Sequence, residues 1–262
     1  MSANSNWVQI KGVVARTPAT FGEYKRLSMS VGGIQQIDGR DVIFFQEVRA
    51  GGDEGKFAAM MTAGTPVLVT GTLRHDTWTN DKGEKQSKTY VKAASIRALP
   101  SPEVYEVEQR ATPAGETYFL LKDGYVSVTI SGNLSRAELK YVGAQNTPLL
   151  SGSFASKEEW LKDGQTQEYT NWINFSVWGD EAERLANLEV GKGWNLSLMD
   201  GTIRNSSSKK DGKTYQNTNI EVGRGRMEFL PKRGAGSSSS TLDIDALMSA
   251  PPVESYEDSA PF

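Results

Sequence analysis

The chain has 262 residues, which suits two modest domains and a remainder better than one large fold. Apolar residues make up 37% and charged residues 23%, while 26 glycines and 10 prolines point to many tight turns and few long helices. With no cysteine and a single histidine, His75, the sequence excludes disulfide frameworks, thiolate metal sites, thiol nucleophiles and a histidine triad.

His75 itself is expected at the surface. The opening stretch MSANSNWVQIKGVVAR has no charged segment followed by an apolar one, and no run approaches the roughly 20 apolar residues that span a bilayer. No membrane association is expected, and a cytoplasmic location is the default. The formal net charge is -3, but it is unevenly spread. Asp243, Asp245, Glu254, Glu257 and Asp258 fall in a terminal stretch without Lys or Arg, leaving 29 basic against 27 acidic residues before it. This asymmetry fits an acidic tail on a body that binds polyanions.

In chain order, the first strand alternates Val8, Ile10 and Gly12 with Trp7, Gln9 and Lys11, a period of two. A strand-turn-strand unit around GGIQQIDGR follows, whose second strand is expected to show Val42, Phe44, Gln46 and Val48 outward, with Ile43 and Phe45 inward. KFAAMM reads as a short helix. The strand GTLRHDTW sets Thr72, Arg74, Asp76 and Trp78 on one face, and NDKGEKQSK forms a basic tip with Lys82, Lys85 and Lys88.

Residues 101–124 form a connector, with strand character expected at Val104, Tyr105 and Val107. The pattern then begins again. Val126, Val128 and Ile130 oppose Tyr125, Ser127 and Thr129, so that each copy opens with an aromatic, Trp7 or Tyr125, on its polar face. SGSFASKEEWLKDGQTQEY reads as a long loop carrying Trp160. The next strand buries Ile173, Phe175 and Val177 and presents Trp172, Asn174, Ser176 and Trp178. GDEAERLANL is a short helix, Trp194 is structural, and SSSKKDGK is a second basic tip with Lys209, Lys210 and Lys213. At an offset of about 130, Gly71-Thr72-Leu73-Arg74 matches Gly201-Thr202-Ile203-Arg204, and Leu99-Pro100 matches Leu230-Pro231.

Five strands with one helix after the third are the inventory of a small Greek-key barrel of the OB type. The expected fold is therefore all-β, with one short helix per repeat: OB fold 1 over residues 1–100, the connector 101–124, OB fold 2 over 125–231, and a disordered acidic tail over 232–262. The sheet face of an OB barrel is where single-stranded nucleic acid lies, and exposed rings there stack on bases. Trp172, Trp178, Trp160, Trp78, Trp7, Tyr125 and Phe44 are the candidate stacking residues. Arg74, Arg204 and the two lysine tips are the candidate phosphate contacts.

The stretch TNWINFSVWGDEAERLANLEVGKGWNLSLMDGTIR resembles the third strand, helix and fourth strand of bacterial-type single-stranded DNA-binding proteins, and GTLRHDTW is similar to another segment of that family. The resemblance implies that Trp172, Trp178, Trp160 and Trp78 stack on bases, and that the tandem form assembles as a homodimer with four barrels. It implies a role in DNA replication, recombination and repair, in association with the nucleoid when DNA is bound. The ending EDSAPF resembles the tip by which the family recruits partner enzymes, which implies that role for Glu257, Asp258, Pro261 and Phe262. No catalytic residue, metal or cofactor is expected, since the chain lacks a P-loop, H-E-x-x-H and a nucleophile elbow. A single-strand annealing protein and an OB-fold adaptor without DNA affinity are the alternatives.

Overall fold

The computed structural model describes residues 5–230 apart from 22–25, 38, 80–82, 84, 101, 163, 189 and 211–212, with the backbone alone at 21, 85, 102, 162, 207–210 and 213–216. The first half contains β1 (Asn6–Val14), β2 (Ala19–Phe21), β3 (Arg26–Ile37), β4 (Arg40–Ala50), α1 (Gly52–Ala59), β5 (Pro66–Thr79) and β6 (Lys85–Ala98). A short 3-10 turn (Pro102–Val104) and the hairpin β7 (Val107–Ala111) and β8 (Thr117–Leu121) follow. The second half contains β9 (Tyr125–Val142), β10 (Thr147–Lys162), β11 (Gln165–Trp178), α2 (Asp180–Ala186), β12 (Asn195–Lys210), β13 (Lys213–Val222) and β14 (Met227–Leu230).

Each half closes a five-stranded barrel in the same way. The first ring runs β1, β3, β4, β6, β5 and back to β1, and only the β4–β6 contact is parallel. The second runs β9, β10, β11, β13, β12 and back to β9, with β11–β13 as the parallel contact. Closure removes the open edges that an isolated sheet would leave. The glycine of the repeated Gly-Thr-aliphatic-Arg motif has a matching place in both. Gly71 sits at a register shift where a Cβ would lie 2.2 Å from the Lys92 carbonyl, and at Gly201 a Cβ would meet Ile220 at 2.4 Å. No larger residue fits either approach.

The two barrels share one continuous core. β1 pairs antiparallel with β9, setting Val8 opposite Val128 and Ile10 opposite Val126, all four fully or almost fully buried. Each of these strands therefore has neighbours on both sides.

Three expectations need correction. The segment read as a long loop is a continuous hairpin, β10 with β11, paired from Leu149 and Trp178 out to Lys162 and Gln165, so Trp160 lies on a strand opposite Gln167. In β4 the faces are exchanged. Phe44, Gln46 and Val48 are buried at 7%, 2% and 0% exposure, whereas Ile43 and Phe45 stand out at 44% and 41%. A shift of one residue between the copies is enough, because neighbouring side chains on a strand point to opposite faces. In the connector, Val104 lies in the exposed turn; the strand begins at Val107, and Leu120 and Leu121 are fully buried beside β3.

Candidate functional site

Trp7, Trp78, Trp160, Trp172 and Trp178 are between 43% and 54% exposed, and only Trp194 packs against the core. On β11 the cause is local. Ile173, Phe175 and Val177 fill the barrel, and alternation turns Trp172, Asn174 and Trp178 to the outside. Tyr125 is half-buried at the seam, where its hydroxyl donates to the Gln9 Oε1 at 3.0 Å. Phe44 is a core residue, and the exposed ring of that strand is Phe45, which meets Tyr118 edge-on at 5.4 Å.

Two clefts open between the barrels. The larger, of about 840 Å³, is lined by Phe45, His75, Trp78 and Gln86 from the first barrel and by Trp172, Asn174 and Asn205 from the second. The smaller, of about 590 Å³, takes Arg49, Arg74, Asp76 and Tyr90 from the first barrel and Glu158, Trp160 and Tyr169 from the β10–β11 arm. Arg74 and Trp78 thus serve different clefts although both were expected on one face. The twist of a long strand carries residues four apart away from each other.

Arg74 is not an open phosphate contact. It is 8% exposed, its Nη2 is ion-paired with Glu158, and its guanidinium lies 4.4 Å from the Tyr169 ring centre and 5.8 Å from that of Trp160. Around this pair the arm is fastened to the first barrel. The Asn6 amide donates to Glu158 at 2.7 Å and to the Leu73 carbonyl at 2.9 Å, and the Leu73 N–H donates back to Asn6 at 2.8 Å. The Asn171 side chain accepts from the His75 N–H at 3.0 Å, and the Tyr169 hydroxyl lies 2.8 Å from both the His75 carbonyl and Asp76. Burial, with Asp76 beside it, pushes the Tyr169 phenol well above its ordinary range.

His75, expected at the surface, is half-buried beneath the arm with its Nδ1 2.9 Å from the Thr89 hydroxyl. Burial lowers its pKa, so the ring is neutral at pH 7. Lys88 is exposed and ion-paired with Glu47, which also binds Arg49 at 2.7 Å. Burial raises the Glu47 carboxyl, but Lys88 and Arg49 more than offset it and hold it below the usual carboxylate range. Arg204 reaches Glu221 at 3.3 Å.

Lys85, Lys209, Lys210 and Lys213 lie at strand ends of the two tip hairpins, where only the backbone is described; Lys82 falls outside the described residues. The tail residues Glu257, Asp258, Pro261 and Phe262 lie outside them as well. Sequence reasoning missed Phe45, Tyr90, Tyr169 and Asn174 as lining residues. Only the alternation of β11 held a signal, for Asn174 beside Trp172; the others depend on which barrel faces them.

Two closed Greek-key barrels in one chain, with five of six tryptophans exposed, define a tandem OB-fold protein with an aromatic binding surface. Residues 125–230 match the family model described as the Single-strand binding protein family. Proteins of that family are binding proteins rather than enzymes. The chain is 28% identical over 253 residues to a single-stranded DNA-binding protein of Deinococcus radiodurans, covering 92% of this chain and 80% of the relative. It is also 28% identical over 225 residues to that of Thermus aquaticus, covering 82% of this chain and 81% of the relative. The crystal structure of the wild-type Thermus aquaticus protein has the same fold, with a TM-score of 0.64 at 20% identity over 91% of this chain and 98% of that one.

Proposed function

We propose that this protein binds single-stranded DNA along its exposed tryptophans, tolerating any sequence, and protects it during replication, recombination and repair in the cytoplasm. The observation that carries this reading is the exposure of Trp7, Trp78, Trp160, Trp172 and Trp178, since tryptophan is highly buried on average and every base offers a face to a ring. The match of residues 125–230 to the single-strand binding family model and the names of the relatives support the same reading. Trp172→Ala or Trp178→Ala each weakens oligo(dT) binding by about 1–3 kcal/mol in a fluorescence titration, with the melting temperature unchanged. Wild-type affinity in both variants would remove these rings from the path.

The terminal Glu257, Asp258, Pro261 and Phe262 combine negative charge with an apolar anchor, which suits a basic-rimmed pocket on a replication or repair enzyme. Deletion of residues 256–262 leaves oligo(dT) affinity intact and abolishes capture of such enzymes from a lysate. Retained capture would end the recruitment role.

A further inference from the structure

The larger cleft sets two indole–carboxamide pairs in one cavity, one from each barrel. Each of its walls offers an indole with a carboxamide beside it. In the first barrel Trp78 and Gln86 are direct cross-strand partners on β5 and β6, a relation that sets side chains about 4.5–5.5 Å apart at Cβ on one face. In the second barrel Trp172 and Asn174 are two apart on β11 and so share its outer face. Among the described residues, neither the Gln86 nor the Asn174 side chain has a hydrogen-bond partner within the protein. Another carboxamide of the lining, Asn205, is already engaged: it donates to the Phe45 carbonyl at 3.2 Å and accepts from the Thr218 hydroxyl at 2.9 Å. The volume of about 840 Å³ lies in the roughly 300–1,000 Å³ range of sites for small organic groups.

A ring beside an unengaged carboxamide is the pairing that an unstacked base calls for. Stacking on the indole is indifferent to base identity, but a carboxamide presents one donor and one acceptor at fixed spacing and matches base edges unequally. We propose that this cleft seats one unstacked base of the bound strand, with its face on Trp78 or Trp172 and its edge on Asn174 and Gln86. The protein thereby gains a base-composition preference on top of its sequence-tolerant binding. The inference rests on the single-stranded DNA reading and adds selectivity to it. The seat exists only where both barrels face each other, so neither barrel alone supplies it.

The test compares oligo(dT) with oligo(dC), two pyrimidine strands whose edges differ in that cytosine offers an amino donor and thymine a carbonyl acceptor. Asn174→Asp removes the donor and keeps the acceptor. Its added charge weakens both strands alike and cancels in their ratio. The preference for oligo(dC) over oligo(dT) rises about fivefold or more relative to wild type, the lower end of what one side-chain-to-base pair discriminates. The double variant Gln86→Ala with Asn174→Ala shifts the wild-type ratio toward that of a strand held by stacking alone, while Trp178→Ala lowers both affinities and leaves the ratio where it was. A ratio unchanged by Asn174→Asp and by the double variant overturns the proposal while leaving DNA binding in place. Absence of any oligonucleotide binding by the wild-type chain would instead overturn the reading beneath it. Circular dichroism melts of each variant separate an altered cleft from an unfolded one.

Discussion

At the scale of single residues, neighbours on one strand have opposite duties, and β4 states the case. Phe44 fills the first barrel, with its ring directly over Gly33, where a Cβ would lie 2.7 Å from it. Phe45 stands in the larger cleft. Truncating Phe44 to Ala therefore costs about 3–5 kcal/mol of stability in urea denaturation, the usual range for a core phenylalanine. Phe45→Ala costs under about 1.5 kcal/mol, the worth of its contact with Tyr118, and acts on oligonucleotide affinity instead. Equal losses of stability would show that the faces have been assigned wrongly.

At the scale of elements, the β10–β11 hairpin does two things. Its base completes the second barrel, and its outer part is fastened to β1 and β5 of the first through Glu158, Tyr169 and Asn171. Arg74 and Glu158 form the charged centre of that fastening, and the Arg74 Nε has no partner among the described residues. A pair this secluded gains little over an apolar replacement, yet loss of one member strands the other. Glu158→Ala thus costs about 3–5 kcal/mol, whereas Arg74→Met combined with Glu158→Leu recovers most of that loss. Additive losses in the double-mutant cycle would deny that the two side chains act as a pair.

At the scale of the whole molecule, the β1–β9 pairing binds two barrels into one body and sets both clefts between them. Two barrels track only a short length of strand. Association of two chains about a twofold axis doubles the stacking surface with no new sequence, and a homodimer with four barrels is the assembly we expect. Light scattering at micromolar concentration returns twice the 28.7 kDa of the chain. A mass of one chain under those conditions would exclude the dimer.

Much of this architecture was legible in the order of residues. The repeated Gly-Thr-aliphatic-Arg motif, the alternation on β1, β9 and β11 and the single helix after each third strand are local patterns, and local patterns survive in sequence because strand sterics and turn chemistry act over a few residues. For the same reason Trp172 and Trp178 were recognisable as outward-facing. The register of β4 was not legible, because both of its faces carry apolar residues and only pairing with β3 and β6 decides which one meets the core. Nor was the fate of Arg74, which reads as a surface cation until Glu158, 84 residues away, arrives on the arm of the other barrel. Composition and periodicity determined that the chain makes two barrels with aromatic outer faces. The tertiary structure alone decided which rings and amides meet across the seam, because contacts between segments far apart in sequence leave no periodic trace in either one.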